Sequence, residues 1–182
     1  MVLLESKKIK IGEKLENFTL KDCFNKEFER DKNIGKNGCI IIFTCNHCPY
    51  AIAIWKRIID LSKWAKTQGV NTLAINPNIH PDYPEDNPEN MMKKVLEWKI
   101  PFPYLIDQDQ RIAKAYQAQC TPDIYFIDEN KKLFYHGRLD DNWQNEKEVS
   151  EESLKNAILN KCQEKPAPKN QKPSIGCSIK WH

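Results

Sequence analysis

The stretch Gly38-Cys39-Ile40-Ile41-Ile42-Phe43-Thr44-Cys45-Asn46-His47-Cys48-Pro49-Tyr50 decides how this chain is read. The apolar run from Cys39 to Phe43 follows a glycine, the pattern of a strand buried on both faces. From Pro49 onward Ala51, Ile52, Trp55, Ile58 and Ile59 recur at helical spacing. Cys45 and Cys48 therefore sit at a strand-to-helix junction. The helix should end near Gly69, and Val70 to Ile75 supplies the next strand, which makes a βαβ unit with parallel pairing.

Working outward toward the N-terminus, Phe18-Thr19-Leu20 and Glu27-Phe28 flank the turn Lys21 to Lys26 and predict a hairpin. On the other side, residues 76–88 carry Pro77, Pro81, Pro84 and Pro88, so regular structure gives way to a long loop. Helices are expected over Glu89 to Trp98 and Gln110 to Tyr116, with a strand Pro101 to Ile106 between them. Asp123 to Ile127 and Leu133 to His136 read as an antiparallel hairpin, and Ser150 to Cys162 as a last helix with Ser150 as its N-cap. Pro166, Pro168 and Pro173 mark residues 163–182 as a proline-rich tail behind a domain spanning 1–162. The fold class is α/β: a central mixed sheet flanked by helices, with an N-terminal hairpin extension.

A chain of 182 residues is one domain's worth and can bury a real core. Its net charge of +3 comes from both signs mixed along the sequence, which argues against nucleic acid as a partner. No apolar run approaches the roughly 20 residues needed to span a bilayer. The N-terminal Met1 to Lys8 is interrupted by Glu5 and is too short and charged for an export signal, so a cytoplasmic protein is expected. Seven cysteines, an odd number, then favour reactive or free thiols over a structural disulfide framework.

Two cysteines at a helix N-terminus meet unpaired N–H groups and the positive end of the helix dipole, and both favour a thiolate. Such sites bring a cysteine from about 8.5 down to roughly 3.5–7.5. Cys45, which adds a neighbouring imidazole, is expected to be the most acidic thiol. A protonated His47 would stabilise the reduced pair and make it more oxidising, the other reading being a solvent-facing helix residue. Half of a zinc site is the rival for the cysteine pair, but no second Cys-x-x-Cys or spaced histidine pair completes it. Thr121-Pro122 heads an apolar strand, where a proline is out of place unless it serves a special geometry, such as a cis peptide facing the cysteines. Cys120 would then lie close to the pair and is expected, ahead of Cys177, to trap Cys45 when Cys48 is absent; a packed, inert Cys120 is the alternative. Arg138 reads as a surface arginine or as a group orienting a thiolate, Asp140 and Asp141 as solvated turn carboxylates, and Cys23, Cys39 and Cys162 as packed thiols.

Gly12, Phe18-Thr19-Leu20, Asp22, Ile40 to Phe43, Cys45 to Cys48 and Thr121-Pro122-Asp123 together resemble a thioredoxin-like redoxin, the group shared with the AhpC/TSA proteins, over about residues 11 to 160. Cys45-Asn46-His47-Cys48-Pro49-Tyr50, Tyr83-Pro84-Glu85-Asp86, Cys120-Thr121-Pro122-Asp123 and Pro173-Ser174-Ile175-Gly176-Cys177 are similar to a more specific bacterial-type subfamily. The Cys-x-His-Cys pattern also resembles that of DsbA-type oxidants. The resemblance implies a thioredoxin-like fold and a thiol–disulfide oxidoreductase that needs no cofactor. In it Cys45 attacks, Cys48 resolves and Pro122 is the cis-proline. Its partners would be protein or small-molecule disulfides or peroxides, with the thioredoxin or glutathione system as electron donor. The first alternative is a thiol peroxidase. Peroxiredoxins carry Pro-x-x-x-Thr/Ser-x-x-Cys, and setting Cys48 at the peroxidatic position puts Cys45 for the Thr and Ile41 for the Pro. The second is a copper chaperone of the Sco type, with His136 joining Cys45 and Cys48, although those proteins use Cys-x-x-x-Cys.

Overall fold

The computed structural model describes residues 3–182; Met1 and Val2, from the N-terminal stretch read above, lie outside the described residues. In chain order the elements are β1 (Leu3–Glu5), β2 (Thr19–Asp22), β3 (Glu27–Glu29), β4 (Gly38–Phe43), α1 (Pro49–Thr67), β5 (Val70–Asn76) and α2 (Pro88–Trp98). There follow β6 (Tyr104–Ile106), α3 (Arg111–Ala115), β7 (Cys120–Thr121), β8 (Asp123–Ile127), β9 (Leu133–Gly137), α4 (Ser153–Cys162) and β10 (Ile175–Ser178).

β4 is central. It pairs in parallel with β5 and antiparallel with β8, and the mixed sheet runs β3-β2-β6-β5-β4-β8-β9. Because successive side chains alternate between faces, Ile40 and Ile42 enter one core with Trp55, Tyr104 and Ile158. Cys39, Ile41 and Phe43 enter the other with Leu73, Ile75, Ile112 and Tyr116. This is the thioredoxin-like arrangement, with the β2–β3 hairpin as its N-terminal extension. Among the described residues no helix is long and apolar enough to cross a membrane.

α1 buries Ala51, Ile54, Trp55, Ile58, Ile59, Ser62 and Ala65, while Ile52, expected on the same face, is exposed. α4 begins three residues later than expected, with Glu152 as its N-cap. Ser150 instead gives both its N–H and its hydroxyl to Asp141. A carboxylate nearby holds the serine more strongly than the helix start would.

The proline-rich tail supplies β10, which pairs antiparallel with β1 on one side and β7 on the other. Ser174 Oγ donates to Gly137 O at 2.6 Å, and Lys180 N to Asn78 Oδ1 at 2.8 Å, so the segment is tied down at both ends. Gly176 is required where it stands, because a Cβ there would meet Thr121 O at 2.0 Å. β10 thus runs hard against the Thr121-Pro122 corner.

Candidate active site

The carboxyl end of β4 delivers Cys45, and Cys48 is the N-cap of α1 with Pro49 at the first helical position. The Thr121-Pro122 bond is cis and faces the pair, as the sequence suggests. Thr121 touches both sulfurs: its hydroxyl is 3.2 Å from Cys45 Sγ, and its carbonyl accepts from Cys48 Sγ at 3.0 Å. Cys177 Sγ completes the cluster at 2.8 Å from Cys48 Sγ. Cys45, Cys48, Cys177 and Ala51 form a small buried cluster of their own. Beneath it the indole N–H of the fully buried Trp55 donates to Cys45 O at 3.3 Å, which fixes the backbone where strand passes into helix.

The order of acidity differs from the sequence expectation. Cys48, not Cys45, is the acidic thiol, brought from 9.0 to about 5 by a hydrogen bond from Cys45, then, against burial, by one from Cys177 and by the Ala51 N–H. Cys45 is pushed well above its ordinary value by burial, by its bond to Cys48 and by the Asp86 charge. The physical reason is position. Cys48 is favoured as thiolate by the Cys45 and Cys177 thiols and by the Ala51 N–H at the start of α1, while Cys45 is more deeply buried and lies beside a carboxylate.

That carboxylate carries no signal in the sequence beyond its place in Tyr83-Pro84-Glu85-Asp86. Asp86 is fully buried and accepts from Asn46 N at 2.5 Å and Asn76 Nδ2 at 3.0 Å, while its other oxygen is bonded to His47 Nδ1. His47 also stacks on Tyr83, ring centroids 4.5 Å apart. The histidine is therefore turned inward rather than to solvent, and Asp86 offsets the positive charge it could present to the thiols.

Cys45, His47 and Asp86 offer ligand atoms within 4.8 Å of one another, the one such group among the described residues. Both Asp86 oxygens are already occupied by hydrogen bonds, and three donors fall short of the four a structural zinc takes. His47 Nε2, by contrast, is buried without a hydrogen-bond partner among the described residues. His136 belongs elsewhere: it is bonded to Asp123 at 2.8 Å and stacked on Tyr125.

The other expected neighbours also need correction. Cys120 points its sulfur at Pro122 O, 3.6 Å away, on the opposite side of the strand from Thr121, and burial drives its pKa far up. Cys177, carried by the tail, takes the place beside the pair that was expected of Cys120. Arg138 contacts Ser153 and Glu151, in keeping with its first reading as a surface arginine. Asp140 is not solvated but buried against Arg57, which also binds the carbonyls of Asn142 and Trp143. Trp143 in turn lies on Tyr50, ring centroids 4.0 Å apart, beside the cysteine cluster. A cavity of about 250 Å³ opens between Pro122, Ile54, Leu139, Trp143 and Pro173.

The profile described as AhpC/TSA family matches residues 11–136. The chain is similar over its whole length to the crystal structure of an uncharacterized conserved protein from Geobacillus kaustophilus, with 39% identity, 97% of that chain covered and a TM-score of 0.95. It is similar likewise to a hypothetical protein from Sinorhizobium meliloti, with 33% identity, 98% of each chain covered and a TM-score of 0.92. Peroxidoxin BcpB from Mycobacterium tuberculosis shares the fold at 12% identity and a TM-score of 0.65, over 86% of this chain and 98% of that one. No curated protein matches the sequence significantly.

Proposed function

The chain belongs to the AhpC/TSA family, within the thioredoxin-like redoxins, and from that premise we propose that it is a thiol–disulfide oxidoreductase working through Cys45 and Cys48. The observation that carries this reading is the meeting of Cys45 and Cys48 at the start of α1, where Thr121 touches both sulfurs; Cys48, at the N-cap and lowered from its ordinary value, is given the attack. The roles are the reverse of those the family resemblance implies. The Cys48 thiolate attacks a substrate disulfide, one substrate sulfur leaves as thiolate, and a mixed disulfide stands on Cys48. Cys45 gives up its proton to the departing thiolate and attacks Cys48 Sγ. The second substrate thiolate leaves, and the Cys45–Cys48 disulfide remains for a thiol donor such as thioredoxin or glutathione to reduce.

The same arrangement supports peroxide reduction as a second reading, because the Cys45 thiol stands where peroxiredoxins place a hydroxyl donor to the reactive sulfur. Cys48 would then take one peroxide oxygen as sulfenic acid, releasing alcohol, and condense with the Cys45 thiol to lose water.

The test offers purified protein insulin or, separately, a peroxide, with either donor system. Disulfide reduction faster than peroxide consumption supports the leading reading, and the opposite order the second. Cys45→Ser/Cys177→Ser protein should trap a mixed disulfide on Cys48. A trap on Cys45 in the Cys48→Ser counterpart, and none on Cys48, would overturn the assigned roles.

A further inference from the structure

Three thiols, not two, meet at this site. Cys48 is packed with Cys45 in one buried cluster and lies 2.8 Å from Cys177 Sγ, a residue 129 positions further along the chain. The approach is built by the fold. β10 is held between β1 and β7, Cys177 sits opposite Thr121 in that register, and Gly176 leaves room for the strand to reach the cis-proline corner. The anchors at Ser174 and Lys180 keep the sulfur there. All three sulfur-bearing residues are buried, and Cys177 belongs to the segment that covers the other two.

We propose that Cys177 is a third redox thiol, which exchanges with the Cys45–Cys48 disulfide to give a Cys48–Cys177 disulfide. The proposal rests on the dithiol reading above and deepens it. In the exchange the Cys177 sulfur attacks Cys48 Sγ; the Cys48–Cys177 bond forms and the Cys45–Cys48 bond breaks. The proton from Cys177 ends on Cys45, so nothing is oxidised or reduced overall and no further reagent is needed. Attack on Cys48 rather than Cys45 follows from geometry, since Cys48 is the sulfur Cys177 touches. In the reduced protein Cys177 is held up at about 12 by burial and by its bond to the Cys48 sulfur, with Lys180 pulling the other way. Once Cys48 is in a disulfide its charge and its bond to Cys177 are gone, so burial still opposes a Cys177 thiolate while Lys180 favours it. The exchange frees Cys45 while the oxidised bond moves onto the covering strand.

The test oxidises the full-length protein with oxidised glutathione, quenches with acid, alkylates, and maps disulfides by mass. Wild type should contain both Cys45–Cys48 and Cys48–Cys177 forms, and Cys45→Ser should carry Cys48–Cys177 in most molecules. Wild type with Cys45–Cys48 alone, together with Cys45→Ser in which Cys177 is alkylated and Cys48 carries glutathione, would overturn the role of Cys177 and leave the dithiol reading intact. Wild type with Cys48–Cys177 alone would instead overturn the Cys45–Cys48 couple while supporting Cys177 as the partner of Cys48. Absence of any bridge overturns both. Circular dichroism of Cys45→Ser and Cys177→Ser confirms that the variants fold, and a Cys177 that only donates a hydrogen bond would shift the Cys48 titration without ever forming a bridge.

Discussion

The Nδ1 atom of His47, inside the Cys-x-x-Cys, is bonded to the buried carboxylate of Asp86. Asp86 thereby does two things at once. It ties the loop between the cysteines to the Asn76 end of β5, and it places a negative charge beside Cys45 that works against a thiolate there.

Asp86→Asn should therefore make the dithiol more oxidising. It removes the charge that opposes a thiolate on Cys45, and that change stabilises the reduced form. For a two-electron couple each tenfold gain is about 30 mV, and a rise of about that size is expected in a redox titration against glutathione. An unchanged or more reducing midpoint in a folded variant would reject the role given to Asp86.

Cys48 should dominate the response of the reduced protein to pH. Its folded pKa lies below the ordinary 9.0, at about 5, so between those values the unfolded chain holds a proton that the folded one has shed. Stability from this group is complete above 9.0, falls with pH through that window and is lost below about 5. Cys177, held up to about 12, acts in the opposite sense and only above 9.0. Urea midpoints of reduced wild type should rise from acid to neutral pH more steeply than those of Cys48→Ser, and thiolate absorbance should show a transition at about 5 that the variant lacks. Parallel curves would remove Cys48 as the acidic thiol.

The reach of sequence reading divides along physical lines. The run Ile40 to Phe43 announces a two-faced central strand because six consecutive positions of β4 are buried, and Cys45 to Cys48 follow it at a helix start that Pro49 and the spacing of Ala51, Trp55 and Ile58 make legible. Asp86 is a polar residue in a proline-rich loop, and its burial arises only when the loop folds back on Asn46 and Asn76. β7 and β10 are two and four residues long, and they pair across 50 and more residues of chain, so no local periodicity marks them. The inversion of acidity between Cys45 and Cys48 has the same origin. Both lie near one helix end, and what separates them is burial and the bond between the two thiols, to which other segments add the Asp86 charge and the Cys177 donor.

Thr121→Val tests the hydroxyl that meets Cys45. The side chain keeps its branched shape, but the Thr121 bond that favours a Cys45 thiolate is gone. A hydrogen bond of this kind contributes about 0.5–1.5 kcal/mol net, so the step in which Cys45 attacks the mixed disulfide should slow by roughly 2- to 10-fold. Attack by Cys48, which the Thr121 hydroxyl does not touch, should keep its rate. Stopped-flow measurement of the two phases separates them, and equal slowing of both would show that the substitution acts through the backbone instead.

Arg57 and Asp140 form the wall that holds Trp143 over Tyr50. The two side chains are 10% and 6% exposed, 2.5 Å apart, and the guanidinium also binds two carbonyls of the loop. A pair this buried is lost at high cost when one member goes, about 3–5 kcal/mol, whereas an exposed pair contributes less than about 1 kcal/mol. Arg57→Met should fall in the first class. Burial already raises the Asp140 carboxyl above its ordinary 3.8, and without the arginine it rises further. A carboxyl raised on folding penalises the folded state in full above its folded pKa, and the penalty shrinks as acid protonates it. The loss in Arg57→Met should therefore be greatest at neutral pH and diminish on acidification. Arg57→Met/Asp140→Leu should recover much of the loss, because no charge is left stranded. Urea unfolding of wild type, both single variants and the double decides the matter: a loss under about 1 kcal/mol in Arg57→Met, with no coupling to Asp140, would place the pair among ordinary surface contacts.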